Sequence, residues 1–265
     1  MLLAIDIGNS STKFGIFDGE LLLHKFSIQT KRDYTAEELL FDRLKVRDQD
    51  FIQVDIDTCV VASVVPELNG VISQVCNELF KITPRFVDST WDFGFTIDYD
   101  PPSAAGADRL VNCFAAAAKY GTPVVACSFG TATTIDVISD ENAYVGGIIA
   151  PGIATSARAL QLSTSKLPDV SITTPDAVIG RSTVGSIQSG IVNGHVAMVE
   201  GLLKRIGSKG KVVATGGFAR MIASQTTAID VVDENLTLEG LRLLSLRDGV
   251  GRVRFSSFNA ETPQI

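Results

Sequence analysis

The stretch Ala4-Ile5-Asp6-Ile7-Gly8-Asn9-Ser10-Ser11-Thr12-Lys13 decides the reading of this 265-residue chain. Leu2 to Ile5 are apolar and strand-like, Gly8 permits a tight turn, and the strand pattern returns at Phe14-Gly15-Ile16-Phe17. The segment therefore predicts a β-hairpin with a polar tip. A tip of Gly, Asn, Ser and Thr offers backbone N–H groups and hydroxyls to an anion, with Asp6 placed to hold a cation or its waters and Lys13 adding positive charge. Polyphosphate suits such a tip. Taken alone, the same residues suit an ordinary N-terminal turn equally well, since Gly-Asn is common turn chemistry.

A second copy breaks the tie. Val125-Ala126-Cys127-Ser128-Phe129-Gly130-Thr131-Ala132-Thr133-Thr134-Ile135-Asp136 repeats the plan of apolar strand, glycine, small hydroxyl residues and returning strand. Aligning Gly8 with Gly130 sets Asp6 against Ser128, Asn9 against Thr131 and Thr12 against Thr134. Each half of the chain thus opens on one phosphate-type loop.

Two such hairpins resemble the superfamily of actin, heat-shock chaperones and sugar kinases, in which duplicated ribonuclease H-like lobes close on a nucleotide. Five motifs narrow the match: Asp6-Ile7-Gly8-Asn9-Ser10 with Lys13, Gly106-Ala107-Asp108-Arg109, Phe129 to Asp136, Gly146-Gly147-Ile148-Ile149-Ala150-Pro151-Gly152, and Gly180-Arg181-Ser182-Thr183. Their order is that of type III pantothenate kinases, and the resemblance spans nearly the whole chain. It implies an α/β fold of two duplicated ribonuclease H-like, actin-like ATPase lobes with a nucleotide cleft between them. The lobes are expected at residues 1–119 and 120–255, with a tail at 256–265.

The activity implied is transfer of the ATP γ-phosphoryl group to pantothenate, giving 4′-phosphopantothenate, the first step of coenzyme A synthesis. By the same resemblance Asp108 is the general base. Asp6, Ile7, Gly8, Asn9, Ser10, Ser11, Thr12, Lys13 and Thr131 bind ATP, and Tyr99, Gly106, Ala107, Asp108, Arg109 and Thr183 bind substrate. Asp6 organises Mg²⁺, and a homodimer pairs through the second lobe. One position departs from the pattern. The second phosphate motif of the family usually begins with Asp, a ligand for K⁺ or NH₄⁺, and Ser128 stands there instead. A neutral hydroxyl is a weaker cation ligand than a carboxylate, which puts the monovalent-cation site in doubt. Ser128 also keeps open a second reading, a catalytically impaired kinase-like nucleotide-binding regulatory protein.

Composition agrees with a globular enzyme. With 45% hydrophobic residues the chain can bury a full core, and a net charge of −7 excludes a nucleic-acid footprint or a basic membrane-binding face. No run approaches a membrane span of about 18 apolar residues, and the N-terminus lacks a signal-peptide layout, so a cytoplasmic address is expected. Cys59, Cys76, Cys113 and Cys127 lie in apolar surroundings without Cys-x-x-Cys spacing and read as reduced core thiols. His24 and His195 are the only histidines and have no neighbours spaced for zinc.

The rest follows an alternating pattern of strands and helices. A strand is expected from Glu20 to Ile28 and a surface helix within 31–50, followed by a buried parallel strand from Thr58 to Val64. Leu68, Val71, Ile72, Val75 and Leu79 mark an amphipathic helix, and Arg85 to Val87 a short strand. Pro101 and Pro102 make the segment from Ile97 to Arg109 a loop feeding a helix from Leu110 to Lys119, with Asp108 at the positive helix start. Lys119 to Pro123 forms the lobe boundary. Strands are expected at 133–138 and 144–149, and a loop at 163–176. Thr183 is read as the N-terminal cap of a long helix, a strand ends at Gly216-Gly217, and a final helix runs from Leu236 to Gly249.

Overall fold

The computed structural model describes residues 1–40 and 54–247. Two sheets carry the architecture. In sheet 1, β1 (Leu2–Ile7), β2 (Ser11–Asp18) and β3 (Leu21–Gln29) form an antiparallel meander, and β4 (Thr58–Ser63) and β5 (Arg85–Phe86) continue in parallel beyond β1. The strand order is β3-β2-β1-β4-β5. In sheet 2, β6 (Thr96–Ile97) lies at one edge, beside β7 (Val124–Phe129), β8 (Ala132–Ile138), β9 (Ala143–Pro151), β10 (Lys211–Thr215) and β11 (Val231–Val232). Its order, β11-β10-β7-β8-β9-β6, reproduces sheet 1 strand for strand, with β6 added. The duplication read from the two loops extends to whole sheets.

The helices are α1 (Asn69–Phe80), α2 (Ala107–Tyr120), α3 (Ile153–Ser163), α4 (Thr183–Ile206), α5 (Ala219–Ala223) and α6 (Leu236–Arg247). Strand periodicity explains how they stack. Successive side chains of a strand point to opposite faces. In β1, Leu3, Ile5 and Ile7 join an outer core that includes Ile72, Val75 and Cys76 of α1, while Ala4 faces inward. The inner core unites Ala4 and Val60 of sheet 1 with Val124, Ala126 and Ile138 of sheet 2. Leu110 and Val111 of α2 and Leu238, Leu241 and Leu244 of α6 lie in the same core. A third cluster covers the far face of sheet 2 with Val196 and Val199 of α4. The stack is therefore α1, sheet 1, a shared layer of α2 and α6, sheet 2, and α4. Each fully buried Leu, Ile or Val contributes roughly 1.5–3 kcal/mol, so the shared layer is the main adhesive between the sheets.

Elements are exchanged around the expected boundary. β6 precedes it in sequence yet pairs with β9 in sheet 2, and α6 follows it yet packs on α2, β1 and β4. A helical turn at Ala36–Glu38, held by a Thr35–Glu38 capping box, begins the surface segment read as a helix. Residues 41–50 of that reading, and 248–249 with the tail, lie outside the described residues. Helix α3 is not expected from the sequence, where Gly152 offers no side-chain cap to mark its start. The cap of α4 is Ser182, whose hydroxyl accepts from Gly185 N–H, and Thr183 is the first helical residue. All four cysteines are free and buried.

Candidate functional site

The two hairpin tips meet at the ends of the central strands. Ser10 Oγ lies 2.6 Å from Thr131 Oγ1, a side-chain contact across 121 residues of sequence. Beneath them is a cavity of about 140 Å³ lined by Asp6, Gly8, Asn9, Ser10, Ser11 and Lys13 from the first hairpin, and by Ser128, Gly130, Thr131, Ala132 and Thr134 from the second. Asp108 and Asn112 enter from α2, Val64 from the end of β4 and Thr237 from α6. Asp6 reaches the inner side because it shares a strand face with Ala4, and Lys13 sits directly across the ladder, its Nζ 3.0 Å from Asp6 Oδ2.

The register corrects the alignment of the two loops. Ile7 pairs with Thr12 across the first tip and Phe129 with Thr133 across the second, so the second tip is one residue shorter. Beyond the tip, Thr134 therefore occupies the place of Lys13, and Thr133 that of Thr12. Two further candidates point away from the cavity. Ile7 is buried in the outer core at 1% exposure, and its carbonyl accepts from Val64 N–H. Thr12 is bonded to Thr30 Oγ1 at 2.9 Å, and Thr30 in turn donates to Gly8 O at 2.7 Å. Thr12 thus secures the first tip from behind.

Asp108 lies in the first turn of α2, where backbone N–H groups lack helical partners, and its Oδ1 accepts from Arg109 N–H at 2.9 Å. Burial, reinforced by the nearby negative charge of Asp6, pushes its carboxyl up to about 6. A carboxylate so placed is ionised at neutral pH yet basic enough to take a proton from an attacking hydroxyl.

Arg109 turns the other way, toward sheet 2. Its Nε donates to Asp136 Oδ1 at 2.8 Å, and Tyr144 OH donates to the same oxygen at 3.0 Å. Burial opposes the guanidinium charge, but Asp136 outweighs it and holds Arg109 above its ordinary value. Arg109 Nη2 lies 2.6 Å from the same Asp136 Oδ1, so the carboxylate holds the guanidinium through two of its nitrogens. The Tyr99 ring lies 5.7 Å from the guanidinium and 5.8 Å from the Tyr144 ring. Gly147 makes this packing possible, since a Cβ there would stand 2.4 Å from Asp136 Oδ1. Gly152 likewise lets the backbone pass behind the second tip, where a Cβ would come within 2.1 Å of Gly130 O.

Gly106 and Ala107 lead into α2 beside this cluster, but Thr183 is not brought to it. Thr183 lines a separate groove of about 770 Å³ between α3 and α4, with Leu160, Leu167, Arg181 and Ile187. Sequence reasoning misses Asn112, Thr237 and the role of Asp136. Asn112 stands one helical turn after Asp108, a spacing that could have found it. Thr237, which donates to Asn112 Oδ1 at 2.8 Å, carries no local signal.

Comparisons with known proteins identify the family. A sequence profile of the type III pantothenate kinase family matches residues 2–205. A protein of Desulfosudis oleivorans named type III pantothenate kinase is 45% identical over 255 residues, covering 92% of this chain and 98% of that one. The chain belongs to the type III pantothenate kinase family. A second relative of that name, from a Geobacter species, is 42% identical and covers 94% of this chain and all of its own length. Among solved structures, the ethanolamine utilization protein EutJ of Carboxydothermus hydrogenoformans superposes with a TM-score of 0.56 at 13% identity, covering 91% of this chain and 89% of that one, a likeness of fold alone. The chain has the actin-like ATPase fold, with two lobes each built on one of the sheets.

Proposed function

We propose that this chain transfers the γ-phosphoryl group of ATP to the primary hydroxyl of pantothenate, in the opening step of coenzyme A synthesis. The observation that carries the reading is the meeting of the two tips above one cavity that also admits Asp6, Lys13 and Asp108. Phosphoryl transfer asks little covalent work of the protein and depends on positioning and charge. Backbone N–H groups and hydroxyls of Asn9, Ser10, Ser11 and Thr131 hold phosphate oxygens, Gly8 shapes the turn by donating its N–H to Ser11 O, and Lys13 adds charge. Asp108 accepts the hydroxyl proton as the oxygen attacks. Tyr99 and Arg109 orient pantothenate, with Arg109 held in place by Asp136.

The oxygen donors around the cavity suit Mg²⁺ chemically, as a hard cation that keeps several waters. Asp6 would hold it, and when bound it neutralises charge on the phosphates. Ser128 and Thr134 face each other across the second hairpin as neutral hydroxyls, and we assign to this pair a weak dependence on K⁺ or NH₄⁺. Val178 and Ile179, 76% and 81% exposed, directly precede the Gly180-Arg181-Ser182 run that lines the Thr183 groove, and they suit a homodimer in which a second copy covers this face. A division at 1–119 and 120–255, with β6 and α6 packing across it, and a cytoplasmic address complete the proposal. Among the described residues no helix is long and apolar enough to cross a membrane.

The kinase reading is preferred to a regulatory protein because the base, the lysine and both tips are all present. Its test is formation of phosphopantothenate by the purified protein with ATP, Mg²⁺ and pantothenate, in K⁺, NH₄⁺ and Na⁺ buffers. ATP binding without turnover under every cation would overturn it.

A further inference from the structure

Helix α4 buries one face, with Val192, Val196 and Val199 at helical spacing, and His195 lies on that same face at 6% exposure. A polar ring on an apolar stripe needs a partner. His195 Nε2 lies 2.8 Å from Thr133 Oγ1, and the imidazole meets the Phe129 ring edge-on, with centroids 6.1 Å apart. Phe129 and Thr133 are the cross-strand pair that closes the second tip, so one side chain supports both of its arms. Thr133 is only 1% exposed, which removes water as an alternative partner for its hydroxyl. Burial also lowers the His195 pKa, keeping the ring neutral. A neutral imidazole and a hydroxyl form one complete donor–acceptor pair.

The first tip shows the same arrangement with different parts. There the closing pair is Ile7 and Thr12, and Thr30 takes the Thr12 hydroxyl from behind. Each tip therefore rests on a hydrogen bond to the threonine at its base, half-buried and made from Thr30 just after β3 in one case, buried and made from α4 in the other.

We propose that His195 is a positioning residue for phosphoryl transfer, which fixes Gly130 and Thr131 against the first tip by holding Thr133 and Phe129 from the outer face of sheet 2. The proposal rests on the reading that the second tip grips the ATP phosphates. A tip that shifts by a fraction of an ångström loses its alignment with the opposing N–H groups, so the support is felt in ATP binding before it is felt elsewhere.

The test compares steady-state kinetics of His195→Leu, His195→Gln, Thr133→Val, the His195→Leu/Thr133→Val double variant and Thr131→Ala. His195→Leu is expected to raise the KM for ATP about tenfold, the scale of removing one buried hydrogen bond, while the KM for pantothenate stays put. Gln reaches as far as the imidazole Nε2 and is expected to restore most of the loss. Thr133→Val should match His195→Leu, and the double variant should be no worse than the larger single effect. An unchanged ATP KM in His195→Leu and Thr133→Val, with a raised one in Thr131→Ala, overturns the proposal alone. An unchanged ATP KM in Thr131→Ala overturns the phosphate reading and the proposal with it. Equal damage to kcat and both KM values with a lowered melting temperature and no rescue by Gln also overturns it, since that marks a purely structural role. Should His195→Leu fail to fold, the near-isosteric Thr133→Val removes the same bond and decides the matter.

Discussion

The first hairpin carries charge where the second carries hydroxyls. Across the first ladder Asp6 faces Lys13; across the second, at the same distance from the tip, Ser128 faces Thr134. Both tips come from the same strand order and lie over the same cavity, so backbone geometry alone does not separate their tasks. The side chains do. On the proposed reading the first half holds a phosphate and a cation, and the second closes over them with neutral donors. Duplication supplied the frame, and the chemistry became asymmetric at two ladder positions.

Asp108, between the tips, gives the largest expected effect. Asp108→Asn should lower kcat by at least about 100-fold, the usual scale for a general base, while ATP binding persists. Its folded pKa, raised from 3.8 to about 6, has two consequences of opposite kind. The rate should rise with pH and level off above about 6, as the base ionises. Stability should run the other way, because the folded chain binds this proton more tightly than the unfolded one. That contribution is full below about 4 and is lost as pH rises through about 6. Asp108→Asn should therefore raise the melting temperature at pH 7.5 by about 2–5 °C in a calorimetric scan, even as it slows turnover.

The contrast between the tips is tested next by paired substitutions. Lys13→Met should raise the ATP KM by about 10–100-fold, because it removes a charge-assisted hydrogen bond to phosphate, whereas Thr134→Val should cost only about 2–10-fold. Equal losses would break the asymmetry. The smallest effect is expected at Ser128. Turnover of the native chain should differ less than about twofold between K⁺, NH₄⁺ and Na⁺ buffers, and Ser128→Asp should introduce a clear preference by supplying a carboxylate ligand.

Much of the fold is legible in the chain itself. The hairpins, the parallel strand after them, the helix opening near Asp108 and the long helix after Ser182 all follow from short-range pattern, in which apolar period and turn residues act over a few positions. The alignment of Thr12 with Thr134 fails because a one-residue difference in tip length is invisible until the ladder is paired, and one residue turns a side chain to the other face of a sheet. Resemblance groups Thr183 with the substrate residues, but within one chain it belongs to the groove between α3 and α4.

The sequence by itself determined two glycine-containing polar turns on strands, a carboxylate at a helix start and a neutral residue at position 128, since each is a property of neighbours along the chain. Only the tertiary structure decided that Ser10 meets Thr131, that Asp136 holds Arg109, and that His195 supports the base of the second tip. Those contacts join residues 27 to 121 positions apart, and they exist because α2 and α6 bury their apolar faces between the two sheets while α4 closes the far side. Hydrophobic burial is non-directional and leaves no local mark on the residues it brings together.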